Sequence, residues 1–135
     1  MTAMTAMTTT FDRLAALVRA TLSLADDQEI RPEQLLFYDL GFTSLDLLDL
    51  LYRIEEELGI VVADGTIYRL ARGELDDAEF AHKSVLTPLG RERLMALLSD
   101  TPPAVFPERI EAAALPRFCT VGALARLLDQ LKAAG

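Results

Sequence analysis

The segment from Asp39 to Gly59 constrains the fold more than any other. A tight turn, Asp39-Leu40-Gly41-Phe42, runs directly into Thr43-Ser44-Leu45-Asp46 and then into a leucine-rich stretch that ends in Glu55-Glu56-Glu57-Leu58-Gly59. At about 100° per residue, Leu47, Leu50, Leu51, Ile54 and Leu58 fall on one face of a helix, and Leu45, Leu48 and Tyr52 widen that face. An apolar face so broad needs cover from several sides, which points to a helical bundle. The remaining strip carries Asp46, Asp49, Arg53, Glu56 and Glu57, with Arg53 placed four residues from both Asp49 and Glu57.

The start of this helix has its own chemistry. Thr43 followed three residues later by Asp46 reads as a capping box variant, in which the Thr43 hydroxyl accepts from an early helical N–H. Ser44 then takes the first helical position, with its hydroxyl toward solvent. Free amide donors and the positive end of the helix dipole favour an anion there. Gly41 supplies the turn that brings Asp39 and Leu40 back under the helix start. A serine at a helix start usually does no more than begin the helix. The whole string, acid, Leu, Gly, aromatic, Ser, Leu, acid and then a long leucine helix, sets this one apart.

Two further amphipathic helices share the core. Thr9 opens one, with Asp12 three residues on and Phe11, Leu14, Ala15, Val18 and Leu22 along one face. Thr120 caps the other, on which Val121, Leu124, Ala125, Leu128 and Leu131 align. A long polar connection from Ala25 to Tyr38, containing Pro32, joins the first helix to the turn before Ser44. Residues 107–115, bounded by Pro107 and Pro116, form a short helical candidate. Residues 1–10 repeat Met-Thr-Ala and read as a disordered tail.

On these residues the chain resembles the acyl carrier proteins, whose Gly-x-Asp-Ser-Leu motif carries a 4′-phosphopantetheine arm on its serine. Asp39, Gly41, Ser44 and Leu45 match the motif region, while Thr43 stands where the family has Asp. The order of long helix, long loop, recognition helix, short helix and final helix is also similar, as is the Thr120-Val121-Gly122 opening of the last helix. The resemblance covers 11–60 and 108–133. It implies an all-α fold, a four-helix acyl-carrier-like bundle, in a single carrier domain over 11–133. It implies further that a phosphopantetheinyl transferase moves the arm from coenzyme A to Ser44, and that the arm's thiol holds acyl cargo as a thioester. The protein itself would not be an enzyme. Asp46, Asp49, Glu55, Glu56 and Glu57 match family acids that dock on basic patches of acyl-loading, elongating or transferring enzymes of fatty-acid, lipid or related specialised biosynthesis. A monomer is expected.

Residues 61–107 fall outside the resemblance, because an ordinary carrier passes almost directly from recognition helix to short helix. This insertion is expected to be mainly helical. At its start, Asp64-Gly65 between Ile60-Val61-Val62-Ala63 and Thr66-Ile67-Tyr68-Arg69 suits a short β-hairpin, although Thr66 to Ala71 could equally form a helical turn. Asp76 to Lys83 and Pro88 to Leu98 read as helices, the second with Leu89, Arg93 and Leu97 spaced by four. Thr101-Pro102-Pro103 stops it. The leucines and Phe80 of this stretch must find cover on the bundle or on a partner, since a helical pair of this size has little core of its own. Its place after the recognition helix suggests selection of partner or cargo.

Two other readings compete. Leu86-Thr87-Pro88-Leu89-Gly90-Arg91-Glu92-Arg93-Leu94 resembles the strand-to-helix passage of small winged-helix regulators, but a DNA-reading helix needs exposed bases and few lie near Arg91 and Arg93. The other alternative is an unmodified adaptor that keeps the carrier shape without the arm.

Composition sets the outer bounds. A chain of 135 residues that is 51% hydrophobic is long enough for one core. A net charge of −8 argues against nucleic acid or an anionic membrane as partner and suits basic proteins. No apolar run approaches the roughly 18 residues of a membrane span. The N-terminus lacks a signal-peptide pattern, so the cytoplasm is the expected location. Cys119 and His82 are the only cysteine and histidine, too few for a recognisable metal site or catalytic dyad.

Overall fold

The computed structural model describes residues 9–63 and 65–134. Most of the expected tail, residues 1–8, and Asp64 of the expected Asp-Gly turn therefore lie outside the described residues.

Helix α1 (Thr10–Thr21) begins at a complete capping box: Asp12 N donates to Thr9 Oγ1 at 3.1 Å, and Thr9 N donates to the Asp12 carboxylate at 3.2 Å. Its buried residues are Leu14, Ala15 and Val18, while Phe11 and Leu22 are half-buried at the two ends. Helix α2 (Ser44–Leu58) ends on Gly59 in the left-handed conformation, φ 69°, which lets the chain turn away without a Cβ clash. The insertion contributes α3 (Thr66–Arg72), the single turn α4 (Asp77–Phe80), the two-residue strands β1 (Ala81–His82) and β2 (Val85–Leu86), and α5 (Pro88–Leu97). A 3₁₀ segment, Ala112–Phe118, leads into the last helix, α6 (Val121–Ala134). The fold is all-α in class, with one very small antiparallel ribbon.

Helix α1 packs against both α2 and α6. Helix α6 is the centre of the bundle: Val121, Ala123, Leu124, Ala125, Leu127 and Leu128 are all buried, so it meets neighbours on nearly every side. At roughly 1.5–3 kcal/mol for each fully buried large aliphatic side chain, this helix makes a large part of the packing energy. The Ala25–Tyr38 connection is fastened to its start. Val121 N donates to Gln34 O, Gly122 N to Pro32 O, and Leu36 N to Cys119 O. The Thr120 hydroxyl accepts from Ala123 N at 3.0 Å, the cap expected from the sequence.

Beyond Gly59 the structure takes one of the two alternatives left open by the sequence and departs from the sequence reading in three places. Thr66–Arg72 takes the helical alternative, with Gly65 at φ 83° before it. The hairpin lies further on, where Ala81 pairs with Leu86 and His82 with Val85 around a turn at Lys83 (φ 51°) and Ser84 (φ 68°). Two successive positive φ values are the mark of a type I′ hairpin turn. The helix expected over Asp76–Lys83 consequently stops at Phe80. Finally, the short helix expected at 107–115 begins later and runs through Pro116 as a 3₁₀ segment. Glu111 is extended instead, at φ −73° and ψ 136°, bridged to Val85, with Leu86 N donating to Ile110 O and Ala112 N to Ser84 O.

Most of the insertion's apolar residues are covered within the chain, while Val61 and Leu89 are exposed. Phe80, Leu86, Leu94, Leu98, Phe106 and Ile110 are buried in one cluster with bundle residues such as Leu115 and Phe118. The Phe106 and Phe118 rings lie 5.3 Å apart, and the Tyr68 ring meets Phe80 edge-on at 4.8 Å. The buried side of α5 is Gly90 and Leu94, followed by Leu98 at the C-cap, rather than the line through Leu89, Arg93 and Leu97. Arg91, prominent in the winged-helix comparison, donates to Pro107 O at 2.8 Å and Phe106 O at 3.0 Å. It ties α5 to the returning chain.

Candidate functional site

The turn before α2 is built by backbone hydrogen bonds. Phe42 N donates to Leu36 O, and Gly41 N to Phe37 O. Gly41 has φ 74°, in the region where only glycine is at ease. Phe42 is buried beneath the turn, its ring 6.4 Å from Phe37. The Asp39 carboxylate accepts from Leu35 N at 2.8 Å. Asp39 thus closes the loop on itself. Since Leu35 bridges to Thr120 and Leu36 bonds Cys119, the turn is anchored to the residues just before the central helix.

Thr43 is the N-cap of α2, extended at φ −102° and ψ 173°. Asp46 N donates to its hydroxyl at 3.2 Å, and Thr43 N donates back to the Asp46 carboxylate at 2.9 Å. Ser44 is the first helical residue and is exposed. Its hydroxyl therefore stands beside the free amides and positive dipole end of a 15-residue helix, a field that stabilises a phosphodiester by roughly 0.3–1 kcal/mol at an exposed position. The surroundings fit a phosphopantetheine group: an accessible hydroxyl, a rigid turn, and a helix start that accepts negative charge.

The sequence-predicted acids divide into three kinds. Asp46 is committed to the cap. Asp49 pairs with Arg53 at 3.2 Å. Glu55, Glu56 and Glu57 are exposed, and among the described residues none of them is in an ion pair. The Glu57 carbonyl accepts from Arg13 at 3.0 Å, which ties the end of α2 to the start of α1.

Leu45, Leu48 and Tyr52 do not join the core as the sequence periodicity suggests. They are 77%, 55% and 61% exposed, and their spacing of three and four aligns them along the outer face of α2. Leu50 and Ile54 are the fully buried residues of the helix, with Leu47, Leu51 and Leu58 packed against them. The result is an apolar stripe beside acids, starting next to Ser44. Periodicity had drawn these residues into too wide a core, and only the position of neighbouring helices shows where the buried face stops.

A cavity of about 310 Å³ opens into the bundle, and its lining was not legible in the sequence. It lies between Leu47 and Leu51 of α2, Leu124 and Leu131 of α6, the 3₁₀ segment, and the start of α3. Cys119 lines it as well, fully buried, its thiol held up at about 12 by burial and by Asp100, with Arg126 acting weakly the other way. Such a thiol stays protonated and is no nucleophile. Among the described residues no group of His, Cys, Asp and Glu could hold a metal ion, and no helix is long and apolar enough to cross a membrane.

Comparison with known proteins bears on this geometry. Residues 12–72 match the family model described as "Phosphopantetheine attachment site". The chain is 43% identical over 56 residues to an acyl carrier protein AcpXL of Mesorhizobium japonicum, covering 42% of this chain and 59% of that protein. It is 39% identical over 56 residues to the AcpXL of Rhizobium meliloti, covering 42% and 58% respectively. It is 37% identical over 65 residues to a chloroplastic acyl carrier protein of Brassica napus, covering 48% of each. The chain thus spans about three fifths of the rhizobial relatives and about half of the plant one. No solved structure matches it. The matched region holds most of α1, the anchored turn, α2 and α3, and so this part of the chain is similar to the phosphopantetheine attachment region of acyl carrier proteins.

Proposed function

We propose that the chain is an acyl carrier whose 4′-phosphopantetheine arm is attached to the Ser44 hydroxyl. The observation that carries this reading is an exposed serine at the first position of α2, inside a region matched to a phosphopantetheine attachment site. The arm supplies a terminal thiol that holds an acyl group as a thioester. The chain itself holds the serine on a fixed turn, offers a docking face, and shelters hydrocarbon from water at about 0.8 kcal/mol per buried methylene. Tethering also raises the cargo's concentration at a partner's active site.

The partners are a phosphopantetheinyl transferase, which takes the arm from coenzyme A, and acyl-loading, elongating or transferring enzymes. Their chemistry follows from α2, where Glu55, Glu56 and Glu57 offer negative charge and Leu45, Leu48 and Tyr52 offer apolar contact. A complementary partner has a basic rim around an apolar patch. The domain is taken as residues 11–133, with 61–107 as an insertion built into it.

The test is incubation with coenzyme A and a broad-specificity transferase, followed by mass spectrometry of the intact protein and its peptides. One phosphopantetheine is expected, on the peptide containing Ser44, and Ser44→Ala is expected to abolish it with the helical circular-dichroism signal unchanged. Modification at another serine, or none with several transferases, would overturn the reading in favour of an unmodified adaptor.

A further inference from the structure

We propose that the insertion positions a recognition residue on the attachment turn: its returning limb, residues 97–107, packs Phe106 on Phe118, Phe118 holds Tyr38, and Tyr38 so held is a contact for the transferase that modifies Ser44. The proposal rests on the carrier reading of Ser44 and adds to it a specificity residue and the residues that place it.

A stack of rings connects the limb to the turn. Tyr38 lies in the turn that leads to Ser44, and its ring stands 6.3 Å from that of Phe118 at an interplanar angle of 53°. Phe118 in turn lies 5.3 Å from Phe106 at 30°. Both separations fall within the roughly 4.5–7 Å at which aromatic pairs attract. Phe106 and Phe118 are 4% and 3% exposed, whereas Tyr38 is 58% exposed. The stack therefore begins in the core of the insertion and ends in a ring at the surface, on the turn itself.

The limb is fastened along its length. Arg126 of α6 donates to Leu97 O at 2.8 Å, the Thr101 hydroxyl to Phe118 O at 2.6 Å, and Arg91 to Phe106 O at 3.0 Å. Thr101 is buried, so its bond to Phe118 is shielded from water. Phe118 is thus held by the limb through both its carbonyl and its ring. The turn is tied by backbone to the next two residues, with Leu36 N donating to Cys119 O and Leu35 bridging Thr120. The whole limb lies beyond residues 12–72, the region matched to the family model, so this brace is supplied by a part of the chain that the match does not include.

A fixed, exposed tyrosine suits recognition. Its ring offers a large contact face on few rotatable bonds, and tyrosine is enriched among the residues that dominate binding energy. Contact with Phe118 places the ring in advance, which lowers the entropy cost of ordering it against a partner. The transferase is the fitting occupant because it must bring the Ser44 oxygen to the pantetheine phosphate and so must close on the turn. Enzymes that act at the far end of the arm have no such need. Phe42 N donates to Leu36 O, and Tyr38 and Ser44 each lie two residues from that bond, which keeps their Cα atoms within roughly 20 Å. An interface of ordinary size, about 800 Å² on each partner and so roughly 30 Å across, is wide enough for both.

The experiment measures transfer of phosphopantetheine from coenzyme A to the full chain by a broad-specificity transferase, with kcat and KM for the chain determined separately. In the transfer the Ser44 oxygen attacks the phosphorus of the pantetheine phosphate, a phosphodiester forms, the pyrophosphate P–O bond breaks, and 3′,5′-ADP leaves as the hydroxyl proton is lost. Tyr38→Ala should raise KM about tenfold with kcat nearly unchanged, as expected for loss of one anchoring contact. Tyr38→Phe, which keeps the ring, should stay close to wild type. Phe106→Ala should raise KM by less than Tyr38→Ala, and in the Tyr38→Ala background it should add nothing, because its effect passes through the tyrosine. Phe80→Leu, a core change in the insertion at a ring that meets Tyr68, should leave KM in place. Should Phe106→Ala fail to fold, Phe106→Leu and Thr101→Val, the latter removing the bond to the Phe118 carbonyl, are expected to act in the same direction and with the same dependence on Tyr38. An unchanged KM for Tyr38→Ala, or effects at Tyr38 and Phe106 that simply add, overturns this proposal alone. A wild-type chain that is never modified at Ser44 overturns the carrier reading, and this proposal with it.

Discussion

Thr43 and Asp46 hold each other across the first turn of α2, the hydroxyl of one accepting from the amide of the other at 3.2 Å and the carboxylate returning the bond at 2.9 Å. The pair fixes the direction in which Ser44, lying between them, faces solvent. It also gives a reason for threonine at a position where the family has Asp, since either residue caps a helix. Thr43→Ala should cost about 1 kcal/mol of stability, within the 0.5–2 kcal/mol usual for a lost N-cap, and should slow modification of Ser44 by loosening the turn. Thr43→Asp keeps a capping side chain and adds negative charge at the positive end of the helix. It should retain the wild-type melting temperature and speed modification by a housekeeping transferase. A slower rate at equal stability would show that Thr43 is matched to a dedicated partner.

The three kinds of acid on α2 lead to different outcomes on substitution. Glu56→Lys reverses an exposed charge and should slow association with a transferase by about tenfold at low salt, with the loss shrinking as salt rises. Asp46→Asn removes the stronger half of the cap and should lower thermal stability while leaving the salt dependence of association nearly unchanged. Asp49→Lys places a cation beside Arg53, so it combines loss of an exposed ion pair, about 0.3–0.5 kcal/mol, with a kinetic effect smaller than that of Glu56→Lys. Stopped-flow association at several ionic strengths, beside thermal melts, separates the three.

What the sequence made legible was local. The caps at Thr9, Thr43 and Thr120 and the turn at Gly41 each depend on residues within a few positions, and each forms as expected. The hairpin was misplaced because its turn residues, Lys83 and Ser84, stand at positive φ without being residues that favour it, and Ser84 O is held by Ala112 N, 28 residues away in sequence. Asp-Gly carries the usual hairpin signal, yet Gly65 precedes a helix here. Helical periodicity gave the buried line of α2 but could not show that Leu45, Leu48 and Tyr52 lie beyond its edge. The cavity was out of reach for a related reason: Leu47, Ile67 and Leu131 meet only through tertiary packing.

Gly90 illustrates such a tertiary constraint in one residue. A Cβ at this position would stand 2.0 Å from the Phe80 carbonyl oxygen and 2.9 Å from its carbonyl carbon. Helix α5 therefore crosses the end of α4 at a distance only glycine allows, and the Thr87 hydroxyl, which donates to Glu79 O and accepts from Gly90 N, fastens the crossing. Gly90→Ala would raise intrinsic helix propensity by about 1 kcal/mol, but the clash is with backbone and should prevail. A net loss of about 1–3 kcal/mol is expected, read from denaturant unfolding. A variant more stable than wild type would mean that the two elements are not so closely packed in solution.

Cys119 supplies a test of burial in the lining of the cavity. Its thiol is pushed from 9.0 up to about 12, chiefly by desolvation, with Asp100 adding to the effect and Arg126 opposing it. Between those two values the folded chain keeps a proton that the unfolded chain has lost. Stability therefore falls with rising pH across this window, by at most about 1.4 kcal/mol per unit from this one group, and the contribution is whole below pH 9. Cys119→Ala removes the titration. The variant should be less stable than wild type at neutral pH, because it leaves a small void, and the difference should narrow steadily as pH rises above 9. Ordinary alkylating reagents should leave Cys119 unmodified in the folded protein and label it once denaturant is added. Rapid labelling of the native chain at neutral pH, or a wild-type-to-variant difference that does not change with pH, would show that the thiol reaches water and that the cavity is open at Cys119 rather than closed against it.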